Sequence, residues 1–379
     1  MRISQVVLTK TKLDASEFAP LAAIAPQLVL AFGCVDALCR GADAMRQAFV
    51  GAHIAGCSTA GEISSSGVSD ASLVVTTLAF DGSQVRQVST ELRDMDDSLD
   101  AGRRLALGLA MQGLRAVLLL GQGVQINGSA VLAGMGEVLG ADVPIAGGLA
   151  GDGGAFERTW VLDDQGVSSS RLVCVGLYGE DLRFSHGSFG GWTPFGPARR
   201  VTRCANNVLY ELDGEPALAV YKRYLGEHAR DLPASGLLFP FAMLGRDHGE
   251  LGLIRTILGV NEQDGSLTLA GENDPDGYLK HMHASTDALV GGAETAAEGA
   301  RDMQAGHGAG LAILVSCVGR KLVMGGRVDE EVEAVAHVFG PGTTLTGFYS
   351  YGEISPFGNM VGCKLHNQTM TIAHISEAS

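Results

Sequence analysis

Residues 56–63 read GCSTAGEI and residues 347–354 read GFYSYGEI, so the pattern G-x-x-[ST]-x-G-E-I stands near both ends of the chain. A strand-like run, QLVLAFGC (27–34), precedes the first copy. A helical segment then opens at Asp43, with Met45, Ala48 and Phe49 at helical spacing, and HIAG (53–56) enters the motif. Before the second copy come LAILVSC (311–317) and a helix with Asp329 as its expected N-cap. Val332, Val335, Ala336 and Phe339 form that helix's apolar stripe. GPG (340–342) ends it, and TTLTG (343–347) leads into the turn.

A third, shortened copy lies between them. RAVLLLG (115–121) reads as a strand, GSAVLAGMGEVLG (128–140) as a helix and VPIAG (143–147) as a strand entering GLAGDG. Ala- and Leu-rich helices are expected at about 97–111 and 286–304. Helices alternating with strands predict an α/β fold built from repeated strand–helix–strand units. The alternating runs after each motif, at 72–80, 158–164 and 368–375, predict antiparallel additions and hence mixed sheets. A chain of 379 residues suggests two or three domains. The charged helical stretch 211–236 marks a boundary near residue 220.

Acidic residues outnumber Lys and Arg by 42 to 27, a net charge of −15 with no basic run, which disfavours nucleic acid and anionic membranes as partners. The N-terminus lacks the apolar core of a signal peptide, and the longest apolar runs are strand-sized. Seven cysteines form no C-x-x-C pair and read as reduced thiols. These features predict a soluble cytoplasmic protein.

In order along residues 25–377, VQINGSAVLAGMGEVLGADVPIAGGLAGDG, GGWTPFGPARRVTR, SCVGRK, GFYSYGEI and LHNQTMTI resemble the FIST family, the F-box and intracellular signal transduction proteins. The resemblance implies an N-terminal FIST domain over 1–220 and a C-terminal one over 221–379. It also implies a sensory, ligand-binding role in bacterial signalling. Some members bind haem b and report nitric oxide, which implies as partner a separately encoded histidine kinase of a two-component system or a cyclic-di-GMP enzyme. A homo-oligomer is open. No kinase, GGDEF-like or DNA-binding segment is present, so the output lies in another protein.

The glycine-rich turns expose backbone N–H groups beside Thr59 and Glu62, or beside Tyr349, Tyr351 and Glu353. Such a turn suits a small polar ligand such as an amino acid, or it serves only to turn the chain. Asp152, Asn127, His366 and Asn367 join the candidates, each with a capping or hydrogen-bonding alternative. Arg320 clamps a ligand carboxylate or pairs with Glu330 or Glu331. GQGVQING is neither a Walker A loop nor G-x-G-x-x-G, which argues against nucleotides.

A b-type haem requires one axial side chain, and the candidates are His228, His248, His281 and His283. The last two share one face if they lie in a strand. No metal site beyond haem iron is expected, since a third ligand is not evident. Cys57 is the one nucleophile candidate for a hydrolase or transferase. The corresponding residues of the other copies, Gly148 and Phe348, carry no thiol. The sequence therefore predicts a sensor that is not an enzyme.

Overall fold

The computed structural model describes residues 1–10, 12–303, 309–356 and 362–378. The first unit contains β1 (Arg2–Leu8), α1 (Ala19–Ala22), β2 (Leu28–Gly33), α2 (Val35–Ala48) and β3 (His53–Ser58). It continues with β4 (Glu62–Ser64), β5 (Gly67–Ser69) and β6 (Leu73–Ala79). The second unit contains β7 (Gln84–Glu91), α3 (Ser98–Gly108), β8 (Leu114–Gly121), α4 (Gly128–Leu139) and β9 (Ile145–Leu149). Then follow β10 (Val161–Asp163), β11 (Gly166–Ser168) and β12 (Arg171–Tyr178).

The third unit opens with β13 (Leu182–Phe189) and is interrupted by an inserted region. This comprises β14 (Thr193–Ala205), β15 (Val208–Leu212), β16 (Glu215–Pro216), α5 (Ala217–Leu225) and β17 (Phe241–Leu244). It ends with β18 (Glu250–Arg255), β19 (Ile257–Asn261), β20 (Ser266–Leu269) and β21 (Tyr278–His283). The unit resumes with α6 (Thr286–Asp302), β22 (Gly310–Cys317), α7 (Val318–Met324), α8 (Asp329–Phe339) and β23 (Thr343–Ser350). β24 (Gly352–Pro356), β25 (Cys363–His366) and β26 (Met370–Glu377) complete it.

The expected mixed α/β architecture is present. Three sheets of six strands run β1-β6-β2-β3-β10-β11, β7-β12-β8-β9-β24-β25 and β13-β26-β22-β23-β4-β5. Only β2–β3, β8–β9 and β22–β23 pair in parallel within them. Each sheet thus takes its first four strands from one unit and its last two from another. The first unit lends to the third, the third to the second and the second to the first. The inserted region forms a separate eight-stranded sheet, β18-β17-β21-β14-β15-β20-β19 with β16 beside β15. The division expected near residue 220 falls inside this sheet, since β14 and β15 precede it.

Central strands are buried on both faces, as near-continuous apolar runs demand. Leu28, Leu30 and Phe32 of β2 meet Leu118, Leu120, Ile313 and Phe348 in a core shared by all three sheets. Phe32 and Phe348 stack there with centroids 4.8 Å apart. The opposite face of β2, Val29 and Ala31, packs against Leu38 and Met45 of α2. Each large apolar side chain so buried contributes about 1.5–3 kcal/mol. Two predicted helix starts shift. The helix of the first unit begins at Val35 rather than Asp43, with the Cys34 N–H bonded to Ser72. The cap of α8 is Val328, and Asp329 instead accepts the Val68 N–H of the neighbouring sheet at 2.7 Å.

The first glycine of each motif marks a close approach to the parallel neighbour. A Cβ at Gly56, Gly147 or Gly347 would lie 2.0, 2.0 or 1.8 Å from the carbonyl oxygen of Ala31, Leu119 or Leu314. Gly147→Ala, which also forces a side chain on to φ +136°, is expected to cost more than about 2 kcal/mol by urea unfolding. Gly136→Ala, in α4 with nothing within 4 Å of its new Cβ, should stabilise by about 0.5–1 kcal/mol in the same experiment.

Candidate functional site

The motif turns bind one another rather than forming three separate cups. The Ser58 hydroxyl donates to Gly151 O at 2.6 Å, and Gly151 N–H donates back to Ser58 O at 2.9 Å. Ala60 and Tyr349 N–H groups donate to Tyr349 O and Gly61 O, both at 2.8 Å, and Tyr351 N–H donates to Leu149 O at 3.1 Å. The carboxylates lie beneath these turns. Glu62 accepts from the Thr59 hydroxyl and from the N–H and hydroxyl of Ser72. Glu353 accepts from Ser350, at 2.7 Å, and from the N–H and hydroxyl of Thr369, at 3.2 and 3.0 Å.

Both glutamates are buried, with both oxygens taken within the chain. Asp152 caps the N–H groups of Phe156, Glu157 and Arg158 and accepts the Tyr351 hydroxyl. Tyr351 stacks on Phe156 at 4.1 Å, while Tyr349 is buried and donates to Glu331 at 2.6 Å. The two tyrosines therefore do not wall a pocket around Glu353.

Arg320 is fully buried. It pairs with Glu331 at 2.7 Å and donates to Leu289 O at 2.9 Å and to Gly190 O. Of the two readings left open by the sequence, the structure takes the ion pair, and that guanidinium is not presented to a ligand. Cys57 is a correction as well. It lies at the centre of the shared core with no exposure, and burial drives its thiol well above the ordinary cysteine range, away from the thiolate a nucleophile needs.

Among the haem candidates, His228, His248 and His283 are exposed and His281 is buried. Among the described residues neither ring nitrogen of His281 has a hydrogen-bond partner, and burial lowers its pKa to about 4. Its imidazole is enclosed by Tyr224, Phe241, Tyr221 and Phe195, with centroids 4.1, 4.8, 5.7 and 5.7 Å away. These are contact spacings for aromatic rings, and a porphyrin does not fit between them. Among the described residues no cluster of three His, Cys, Asp or Glu is placed to hold a metal. No described helix is long and apolar enough to cross a membrane.

The open space lies where sequence reasoning pointed only in part. A cleft of about 270 Å³ runs between α4, β25 and the inserted region. α4 contributes Ser129, Leu132, Ala133 and Gly136, the strand contributes Cys363, Lys364 and Leu365, and the inserted region contributes Leu253, Arg255 and Glu272. Three sequence candidates adjoin its lining residues without lining it themselves. Asn127 caps α4 through Ala130 N–H, at 3.0 Å, and reaches Glu272 at 3.5 Å. His366 ends the strand that supplies Lys364 and Leu365, with Asn367 next to it. His366 contacts Ser355 O at 3.3 Å, and burial lowers its pKa to about 4, with the Arg255 charge adding to the effect. Asn367 donates to His366 O at 2.9 Å, and its side-chain oxygen is buried without a partner.

Arg255, which the sequence did not single out, is the decisive group. The residue is 5% exposed, and its side chain donates to Glu272 O at 3.0 Å and Ile254 O at 3.1 Å. Among the described residues no carboxylate forms an ion pair with it. Desolvation pushes its pKa down to about 10, against the opposing pull of Glu272. A buried guanidinium hydrogen-bonded only to neutral carbonyls has its charge only partly offset by Glu272, and an anion in the cleft relieves the remaining cost. LGLIRTIL carries no local signal of this, because Arg255 is isolated by tertiary packing alone.

The family model of the FIST N domain matches residues 27–215, and that of the FIST C domain matches 217–356. The chain belongs to the FIST family. Its domains place it in signal transduction in general terms. An uncharacterized protein of Methanocaldococcus jannaschii, MJ1623, is 34% identical over 96 residues, which is 25% of this chain. That stretch spans only 19% of the relative.

Two solved structures align over the whole chain and 99% of their own. One is a cyanuric acid hydrolase from A. caulinodans, at 10% identity and TM-score 0.37. The other is a cyanuric acid hydrolase described as an evolutionary innovation by structural concatenation, at 11% and 0.33. The expectation that the chain is not an enzyme is corrected on this point, because both proteins found alongside the FIST chain are hydrolases. At these scores the likeness transfers neither a reaction nor a residue.

Burial raises Glu353 to about 8 from an ordinary 4.5, against the pull of its hydrogen bonds. The folded chain keeps a proton there that the unfolded chain releases, so the stability from this group is full below pH 4.5 and is lost as pH rises through about 8. Glu353→Gln should therefore lose less stability than the unmodified chain between these pH values, measured by urea unfolding at each pH.

Proposed function

We propose that the FIST chain is the ligand-binding component of a signalling system and that its cleft holds a small polar, anionic ligand of the amino-acid kind. Arg255 carries this reading: a guanidinium buried at the wall of an open cleft, with no carboxylate partner, is built to receive one. A bidentate carboxylate takes two of the three donors that those carbonyls leave. Glu272 at the rim offers a charge to an ammonium group, and Asn127 holds Glu272 toward α4. The haem reading is not carried forward, because the one buried histidine of the expected set is packed among aromatic rings. The cleft's walls come from the unit core and from the inserted region, so a ligand spanning them ties the two together. A separate signalling protein, such as a histidine kinase, then reads that change.

The test is calorimetry and thermal shift with the amino acids and small carboxylates. One of them should bind, and Arg255→Met should weaken it roughly ten- to hundredfold, the worth of charge-assisted hydrogen bonds. Binding of equal strength in both proteins removes the cleft as the seat.

A further inference from the structure

We infer that the cleft selects a compact aliphatic carboxylate, held by its carboxylate on Arg255 with its hydrocarbon body along α4. The inference rests on reading the cleft as the ligand seat and adds the chemistry of the ligand.

Size sets the first bound. About 270 Å³ lies just under the usual range of roughly 300–1,000 Å³ for small-molecule sites, which favours a compact ligand.

The lining sets the second. Leu132, Ala133, Val143, Ile145, Leu253 and Leu365 make most of the wall apolar. Gly136 adds no side chain on the α4 side, and its missing Cβ faces open space. A ligand body gains there by leaving water, and a polar body does not.

Charge placement sets the third. Arg255 is the one buried charge of the lining, whereas Glu272 and Lys364 are exposed and opposite in sign. Charges at a hydrated rim contribute little, so one inner carboxylate dominates recognition. A second carboxylate would face either the apolar wall or Glu272 and is selected against.

The experiment is a calorimetric series of straight-chain acids from acetate to octanoate, with matched alcohols, succinate and leucine. Affinity should rise roughly fourfold per methylene until the cleft is full, and each alcohol should bind at least about tenfold more weakly than its acid. Leucine binding more tightly than the acid with the same hydrocarbon body identifies an α-amino acid as the source. Weaker binding identifies an unsubstituted acid, and either result supports the inference. Gly136→Leu, which fills the hydrocarbon end, should lose the longer acids and keep acetate.

A flat chain-length series, or preference for succinate, overturns this inference while leaving the seat intact if Arg255→Met still weakens binding. No saturable binding by any of these compounds overturns the inference. Binding unchanged in both Arg255→Met and Arg255→Lys overturns the seat as well. Circular dichroism confirms folding; should Arg255→Met not fold, Gly136→Leu decides between the outcomes.

Discussion

The structure depends on a cyclic exchange of strands. Each unit sends its chain out of its own sheet at the glycine-rich turn and adds two short strands to the edge of another. The exchange works because the strand before each turn runs against its parallel neighbour at a distance only glycine tolerates, with Gly56, Gly147 and Gly347 set against the carbonyls of Ala31, Leu119 and Leu314. Exchange also covers the last parallel strand of every sheet, which would otherwise be an open edge. The shared apolar core follows, since three sheets joined in this way turn one face each toward a common centre.

Buried polar groups in this framework divide into two kinds. Glu62, Glu353, Asp152 and the Arg320–Glu331 pair hold turns and helices in place, and their partners are already in the chain. Such groups are costly to bury, in full or, for Asp152, in part, and are tolerated because each buried oxygen or nitrogen among them has a partner. Arg255 belongs to the second kind, with two neutral carbonyls and an adjoining cleft. The distinction between a structural charge and a receiving one lies in that accounting and not in residue type, because both arginines are almost wholly buried.

Much of the unit pattern was legible in the residues. The strand–helix–strand periodicity gave α4, α6 and α8 close to their observed ends, since caps, apolar stripes and terminal glycines are local signals. The start of α2 was missed because the strand-like run was read through Cys34 and the helix opened only at Asp43, and the bond from Cys34 to Ser72 shows where the helix begins. Asn127, His366 and Asn367 were chosen for their turn positions; they adjoin lining residues of the cleft without lining it themselves. Arg255 was invisible, since it lies in an ordinary strand run and its isolation depends on which residues fail to reach it.

By itself the sequence determined the repeated unit, the glycines at its turns, the acidic surface and the mixed α/β class, all of which follow from short-range spacing and composition. Tertiary structure alone decided that the repeats exchange strands, that the repeated carboxylates of the turns are internal braces, and that the cleft opens beside the inserted region. Those outcomes depend on contacts between residues far apart in the chain, such as Ile354 with Gly147 or Phe348 with Glu62. No local pattern encodes such partners, because a strand's edge is satisfied equally well by any strand of matching register.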